Sequence, residues 1–360
     1  MKTTVLKVNA ENPEREKILE AAMIIRAGGL VAFPTETVYG LGANALDPKA
    51  VSKIYKVKKR PLDNPIITHV ARRRDVYRLA REVPEDAEKL IEAFWPGPLT
   101  LLLRKAKGVP RPGGLDEITV RMPANRIAIA LIEASNPISA PSANLSGRPS
   151  PTTAEHVLQD LDGCIEMVLD GGPTGVGVES TILDMTAKPY KILRPGGVTL
   201  EDLKGVIEYV EVHPSAGAKA PTDIARSPGM KYRHYAPRAS MILVEGRVND
   251  IVEKVRQIVR EHGGKGVGIM ATEETAGSYD LGIVKVVGSR TEPRTIARNL
   301  YKTLRDFDEL GVRLIIAEGV EKEGIGLAIL NRLRKASGYQ VIEASSDTRA
   351  LGRLGIGQCS

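Results

Sequence analysis

At 360 residues, with 42% hydrophobic and 26% charged residues, the chain is long enough for two domains with sizeable cores, and it is neither fibrous nor disordered in composition. A net charge of +7 favours an anionic partner, a nucleotide or RNA, although a basic protein with no nucleic-acid role has the same balance. Two distant cysteines, Cys164 and Cys359, outside any CxxC, support neither a disulfide framework nor a zinc ribbon, and no apolar run approaches the eighteen residues of a membrane span, so a reducing, cytoplasmic location is expected.

In chain order, residues 5–8 predict a short strand. Asn12 and Pro13 open a helix whose Ile18, Ala22 and Ile25 share a face, with Gly28 as its C-cap. Leu30, Val31, Ala32 and Phe33 form an apolar run of the length expected for a strand buried on both faces. Pro34 stops it, because proline donates nothing to a ladder, so Thr35, Glu36 and Thr37 arrive at the end of a sheet. Gly40 and Gly42 permit positive φ or close approach of a ligand; a plain strand, turn and second strand accounts for the same residues. A helix over 48–57 follows, and Lys53, Lys56, Lys58, Lys59 and Arg60 are five cations in eight residues, halted by Pro61 and Pro65. A solvated helix face explains such a run, whereas a proline-locked loop carrying Lys58, Arg60 and Asn64 pre-organises donors for an anion.

Residues 66–70 predict a buried strand on which His69 reads as a core or turn histidine, since the other histidines supply no metal-ligand spacing. A helix over 85–93, a rigid corner at 94–98, strands over 99–103 and 118–121, a loop at 111–114 and a helix over 126–134 come next, with Trp95 read as packing. Residues 139–153, SAPSANLSGRPSPTT, form an ordered loop dense in donors of the kind that surrounds phosphate oxygens, and Thr152 with Glu155 predicts a capping box at its end. Residues 170–184, DGGPTGVGVESTILD, set four glycines before a strand carrying Ser180 and Thr181, without the GxGxxG spacing or following helix of a dinucleotide site. A strand over 190–193 delivers Arg194 to its end, a place that suits a surface ion pair as well as a ligand.

A helix over 200–209 closes a first domain, 1–210. Residues 211–238, rich in Pro, Gly and Ala, read as an interdomain linker, although 230–235 group two tyrosines, two cations and a histidine for which a passive tether has no use. From 239 to 360 the order strand, helix, strand recurs over 241–244, 249–261, 267–270, 283–287, 293–310, 312–317 and 325–336, the pattern of a smaller Rossmann-like open α/β domain.

P-loop, serine-hydrolase and zinc-hydrolase motifs are all missing. What remains is hydroxyls, backbone amides and fixed cations, which suit chemistry that positions a nucleotide and neutralises phosphate charge. PTETVYGLGANA at 34–45, KKRPLDNPI at 58–66, SAPSANLSGRPSPT at 139–152, GVESTI at 177–182 and LRPGG at 193–197 together resemble the YrdC-like domain of threonylcarbamoyl-AMP synthases, and the added α/β domain resembles the long form of that family. Ile66, where that family usually has leucine, is the one departure.

The resemblance implies a twisted mixed sheet with helices around a concave basic cavity. It implies formation of threonylcarbamoyl-AMP and pyrophosphate from L-threonine, bicarbonate and ATP, the first step of threonylcarbamoyladenosine modification of tRNA, completed by a separate downstream transferase. By motif position, Thr35, His69, Arg121, Ser180 and the backbone of Ala140 would hold threonine. Lys58, Arg60, Asn64, Thr119, Ser142, Asn144, Ser150 and Arg194 would bind ATP, with Lys58, Arg60 and Arg194 as the catalytic cations; Tyr232 or Tyr235 of the linker would close as a lid. Mg²⁺ is expected with the nucleotide, and no protein cage for it is visible. Two other readings stay open. The basic face could follow tRNA or double-stranded RNA, and a carbamoyltransferase of the hydrogenase-maturation type contains a similar domain, although the cysteines needed for its CxxC modules are absent.

Overall fold

The computed structural model describes residues 2–110, 116–217 and 234–345. The loop expected at 111–114 and Tyr232, one of the two proposed lid tyrosines, lie outside the described residues. Two sheets organise the rest. The larger, mixed sheet has eleven strands in the order Thr4–Lys7, Met167–Asp170, Val31–Phe33, Gly40–Asn44, Ile138–Ser139, Thr68–His69, Glu117–Arg121, Leu99–Arg104, Thr181–Asp184, Tyr190–Arg194 and Val210–Val212. The smaller sheet is wholly parallel, in the order Ile283–Val286, Val267–Ala271, Leu314–Glu318, Ser240–Gly246 and Val341–Ala344. Helices Val248–Glu261, Pro293–Glu309 and Gly326–Ala336 connect its strands, the order expected of an open α/β unit.

The apolar run at 30–33 is continuous because both faces of its strand are covered. Val31 and Phe33 pack with Ile25 and Leu131 beneath helices Arg15–Arg26 and Arg126–Ala134. Leu30 and Ala32 pack on the other side with Ile54 and Val157 from helices Pro48–Lys58 and Ala154–Leu161. Further along the sheet, helix Glu85–Phe94 packs Leu90 and Ile91 onto Leu101 and Val120. Trp95 is buried there and donates Nε1–H to Leu99 O at 2.8 Å, which is the packing role expected of it.

Several local expectations change. Gly40 and Gly42 lie in an extended strand and not at positive φ; a Cβ on Gly42 would stand 2.8 Å from both the Phe33 ring and Ile138, so glycine leaves room for those two side chains. The helix start near 153 is capped by Thr153 and not Thr152: its hydroxyl accepts from His156 N. The helix expected over 200–209 stops at Lys204, and Val210–Val212 instead adds an edge strand beside Tyr190–Arg194. Strand Val341–Ala344 has too little periodicity to announce itself and is fixed by pairing with Ser240–Gly246.

The two units share one apolar interface. Val38 and Val178 from the first belong to the same buried cluster as Leu300, Tyr301 and Ile329 from the second, with Tyr235 between them. Buried ion pairs cross as well, among them Arg305 with Asp160 at 3.0 Å.

Candidate active site

Strand ends converge on one cavity of about 60 Å³. Thr35 follows Val31–Phe33, His69 and Arg121 end Thr68–His69 and Glu117–Arg121, Ala140 follows Ile138–Ser139, Ser180 precedes Thr181–Asp184, and Arg194 ends Tyr190–Arg194; all six line it. Backbone bonds stitch the loops that carry them: Val176 N and Gly177 N donate to Glu36 O and Thr37 O, Ala140 N to Ile67 O, and Leu41 N to Pro141 O. Loops far apart in sequence are thereby held in register.

On one side stand hydroxyls around a guanidinium. Thr35 Oγ1 donates to Val38 O at 2.7 Å and accepts from Val38 N, closing the turn, so the plain strand–turn–strand reading of this stretch holds alongside its place in the cavity wall. Arg121 is fixed by Thr37 Oγ1, Gly97 O and Glu36. His69 is buried; that burial first, and Arg121 next, lower its pKa to about 3, and its Nδ1 has no hydrogen-bond partner. A neutral imidazole has one nitrogen that donates and one that accepts a hydrogen bond. Ser180 Oγ sits 2.8 Å from Thr100 Oγ1 and accepts from Arg194 Nη2 at 3.1 Å.

Two further guanidiniums adjoin this set. Arg60 and Arg194 line the cavity with Ser142, and burial lowers the pKa of each, to about 10 for Arg60. Arg194 is buried, so it is not a surface ion pair, and clustered desolvated guanidiniums are stabilised by a nearby anion. The other ATP-side candidates stand behind the wall. Lys58 is buried, and its ammonium donates to the backbone carbonyls of Ser142 and Asn144, so it braces the donor-rich loop and does not face the cavity as the charge run led one to expect. Asn64 Oδ1 accepts from Arg60 Nη2 at 2.7 Å, Thr119 Oγ1 donates to Ile66 O, Asn144 Nδ2 donates to Leu145 O and Arg148 O, and Ser150 Oγ donates to Glu179 Oε1 at 2.6 Å.

The residues assigned by motif position leave out Glu179, Thr37 and His234, which also line the cavity. Thr37 arrives at the sheet end with Thr35 and Glu36 as the sequence predicts, Glu179 stands beside Ser180 in its motif, and His234 belongs to the 230–235 cluster for which a passive tether has no use. His234 and Tyr235 line the cavity, and Ala236 N donates to Gly147 O at 2.7 Å, which ties this segment to the 139–153 loop. Among the described residues no group of three His, Cys, Asp or Glu side chains is placed to hold a metal. Glu179, the one carboxylate on the wall, is taken up by Ser150, Tyr301 and Arg332, so the lining residues do not fit a protein-held divalent cation.

Two family models match the chain, one described as "Telomere recombination" over residues 23–196 and one described as "Threonylcarbamoyl-AMP synthase, C-terminal domain" over residues 198–338. A Pyrococcus abyssi threonylcarbamoyl-AMP synthase is 52% identical over 346 residues, covering 95% of this chain and 99% of that protein. A Bacillus subtilis threonylcarbamoyl-AMP synthase is 48% identical over 332 residues, covering 91% and 94%. The crystal structure of P. abyssi Sua5 complexed with L-threonine superposes with a TM-score of 0.90 at 51% identity, covering 95% of this chain and all of that one.

Proposed function

The chain belongs to the threonylcarbamoyl-AMP synthase family in its two-domain form, and from that premise we propose how its cavity divides the work of the reaction. The chemistry is nucleotidyl transfer. The threonine amine and bicarbonate condense to a carbamate with loss of water; a carbamate oxygen then attacks the α-phosphorus of ATP, the bond to the bridging oxygen breaks, and pyrophosphate leaves. The nucleophile is already an anion, so the protein needs no strong general base; it must align two anions and neutralise the charge that moves onto pyrophosphate.

In our reading Arg121 receives the threonine carboxylate, while Thr35, Ser180, the backbone of Ala140 and the unpaired Nδ1 of His69 take its hydroxyl and amine. Arg60, Arg194 and Ser142 face the phosphates, and Lys58, Asn64, Thr119, Asn144 and Ser150 hold those groups in place from behind. Mg²⁺, where it accompanies ATP, would be held by phosphate oxygens, since the wall does not fit it. His234 and Tyr235 close the site from the linker side, and the first domain, residues 1–210, carries the rest of the binding wall. The product, a mixed anhydride, calls for a transferase that passes the threonylcarbamoyl group to tRNA.

The observation that carries this reading is the convergence of Arg121, Thr35 and the buried His69, whose Nδ1 has no hydrogen-bond partner, on the cavity that Arg60 and Arg194 also line. Pyrophosphate release measured with threonine, bicarbonate and ATP omitted in turn tests it: release is expected only with all three together, and equal release without threonine would overturn it.

A further inference from the structure

The second unit reaches the cavity wall through one carboxylate. Glu179 Oε2 accepts from Arg332 Nε at 2.7 Å, and both its oxygens accept from Tyr301 O–H at 3.0 Å. Arg332 lies on helix Gly326–Ala336 and Tyr301 on helix Pro293–Glu309, and both side chains are fully buried. The first unit supplies a single donor to the same carboxylate, Ser150. The arrangement also grips the linker's end: the Arg332 guanidinium lies 5.3 Å from the Tyr235 ring centroid, and the Tyr235 and Tyr301 rings are 5.5 Å apart.

Glu179 is next in sequence to Ser180, whose carbonyl and hydroxyl both accept from Arg194. Moving the carboxylate therefore moves a substrate-side hydroxyl and a phosphate-side cation together. We propose that Arg332 of the second unit is a positioning residue for threonylcarbamoyl-AMP formation, acting through Glu179 on Ser180 and Arg194 and directly on Tyr235. The inference rests on the reaction proposed above, and it makes the second unit part of the active site.

Burial alone would raise the Glu179 pKa; the charge of Arg332, then that of Arg194, outweighs it and holds the carboxyl at about 2. The groups that face it are Arg332 and Lys335 from helix Gly326–Ala336, Tyr301 from Pro293–Glu309, Arg194 from Tyr190–Arg194, and His234 and Tyr235 at the returning linker. Without Arg332, desolvation is less well opposed, the pKa rises, and a growing share of the carboxyl takes a proton as pH falls.

The test measures kcat and KM for pyrophosphate release from pH 8 to pH 6 in the full chain and its Arg332→Met, Arg332→Lys, Tyr301→Phe and Arg334→Met variants. Wild-type release that needs all three substrates secures the underlying reading; if wild type fails that test, this inference falls with it, whereas a failure seen only in the variants overturns this inference alone. Arg332→Met is expected to lower kcat about tenfold or more, with activity relative to wild type falling further toward pH 6, and Arg332→Lys to recover part of both. Arg334→Met, which breaks the pair with Glu245 inside the second unit, should lower the melting temperature and leave the ratio to wild type flat with pH. A folded Arg332→Met with kcat within about twofold of wild type, or with a flat ratio, overturns the proposal. Should that variant not fold, Tyr301→Phe decides: about threefold lower kcat with a ratio that declines toward pH 6 supports it, and unchanged kcat with a flat ratio overturns it.

Discussion

Arg121 Nη2 donates to Glu36 Oε1 at 2.5 Å, an ion pair between side chains that are 4% and 16% exposed. Nε on Gly97 O and Nη1 on Thr37 Oγ1 fix the guanidinium, and on the proposed assignment a threonine carboxylate would compete with Glu36 for a donor already in place. A charged hydrogen bond of this kind is worth about 1.5–3 kcal/mol. Arg121→Met should therefore raise the threonine KM roughly tenfold to a hundredfold with a much smaller effect on ATP, read by pyrophosphate release against each substrate. An unchanged threonine KM would remove Arg121 from that role.

Histidine burial makes stability depend on pH. His69 and His234 are lowered to about 3 and His156 to about 4, each by burial first and then by a guanidinium: Arg121, Arg60 and Arg305 respectively. The unfolded chain takes up these protons near pH 6.5, while the native state refuses them until pH 4 or below, so the native advantage is complete above pH 6.5 and drains away as pH falls through that window. Each imidazole costs up to about 1.4 kcal/mol per pH unit there. The urea midpoint at pH 5 should lie well below that at pH 7.5, and His69→Gln should flatten the slope; equal midpoints at the two pH values would contradict the neutral assignment.

Gly177 is at φ +81°, and a Cβ there would lie 2.3 Å from Arg298 Cα and 2.4 Å from Ala297 O. It is the point where the first unit's backbone lies against helix Pro293–Glu309. Gly177→Ala combines left-handed strain with overpacking against a rigid helix and should destabilise the chain by about 2–4 kcal/mol, measured by urea unfolding. A loss below about 0.5 kcal/mol would mean that the two units separate easily at this point.

Lys58→Met separates bracing from direct phosphate contact. Removing the ammonium leaves the Asn144 carbonyl without its donor and the Ser142 carbonyl with Asn144 N alone, at a cost of about 1–3 kcal/mol, so the melting temperature should drop in the absence of nucleotide and the ATP KM should rise with it. A raised ATP KM with an unchanged melting temperature would place Lys58 on the phosphates instead.

The sequence carried the fold wherever pattern alone decides. The run at 30–33 declared a doubly covered strand, and the alternation of strands and helices after residue 239 declared an open α/β unit, because burial imposes those periods directly. Arg60, Ser142 and Arg194 reached the cavity from their motifs, whereas Lys58 and Ser150, from the same motifs, face backbone carbonyls and Glu179. A motif marks a neighbourhood; which side chain turns inward is set by packing across strands far apart in sequence. Arg332 was illegible for the same reason: on its helix it is one of three buried cations, and only contact with Glu179, 153 residues away, distinguishes it.

The central proposal is that one cavity takes two ligands on adjoining sets of residues, and kinetics of Arg194→Met test it most directly. With both KM values measured in the pyrophosphate-release assay, the ATP KM should rise at least about tenfold while the threonine KM stays within about threefold. A variant that needs more threonine but no more ATP would contradict the division of the site.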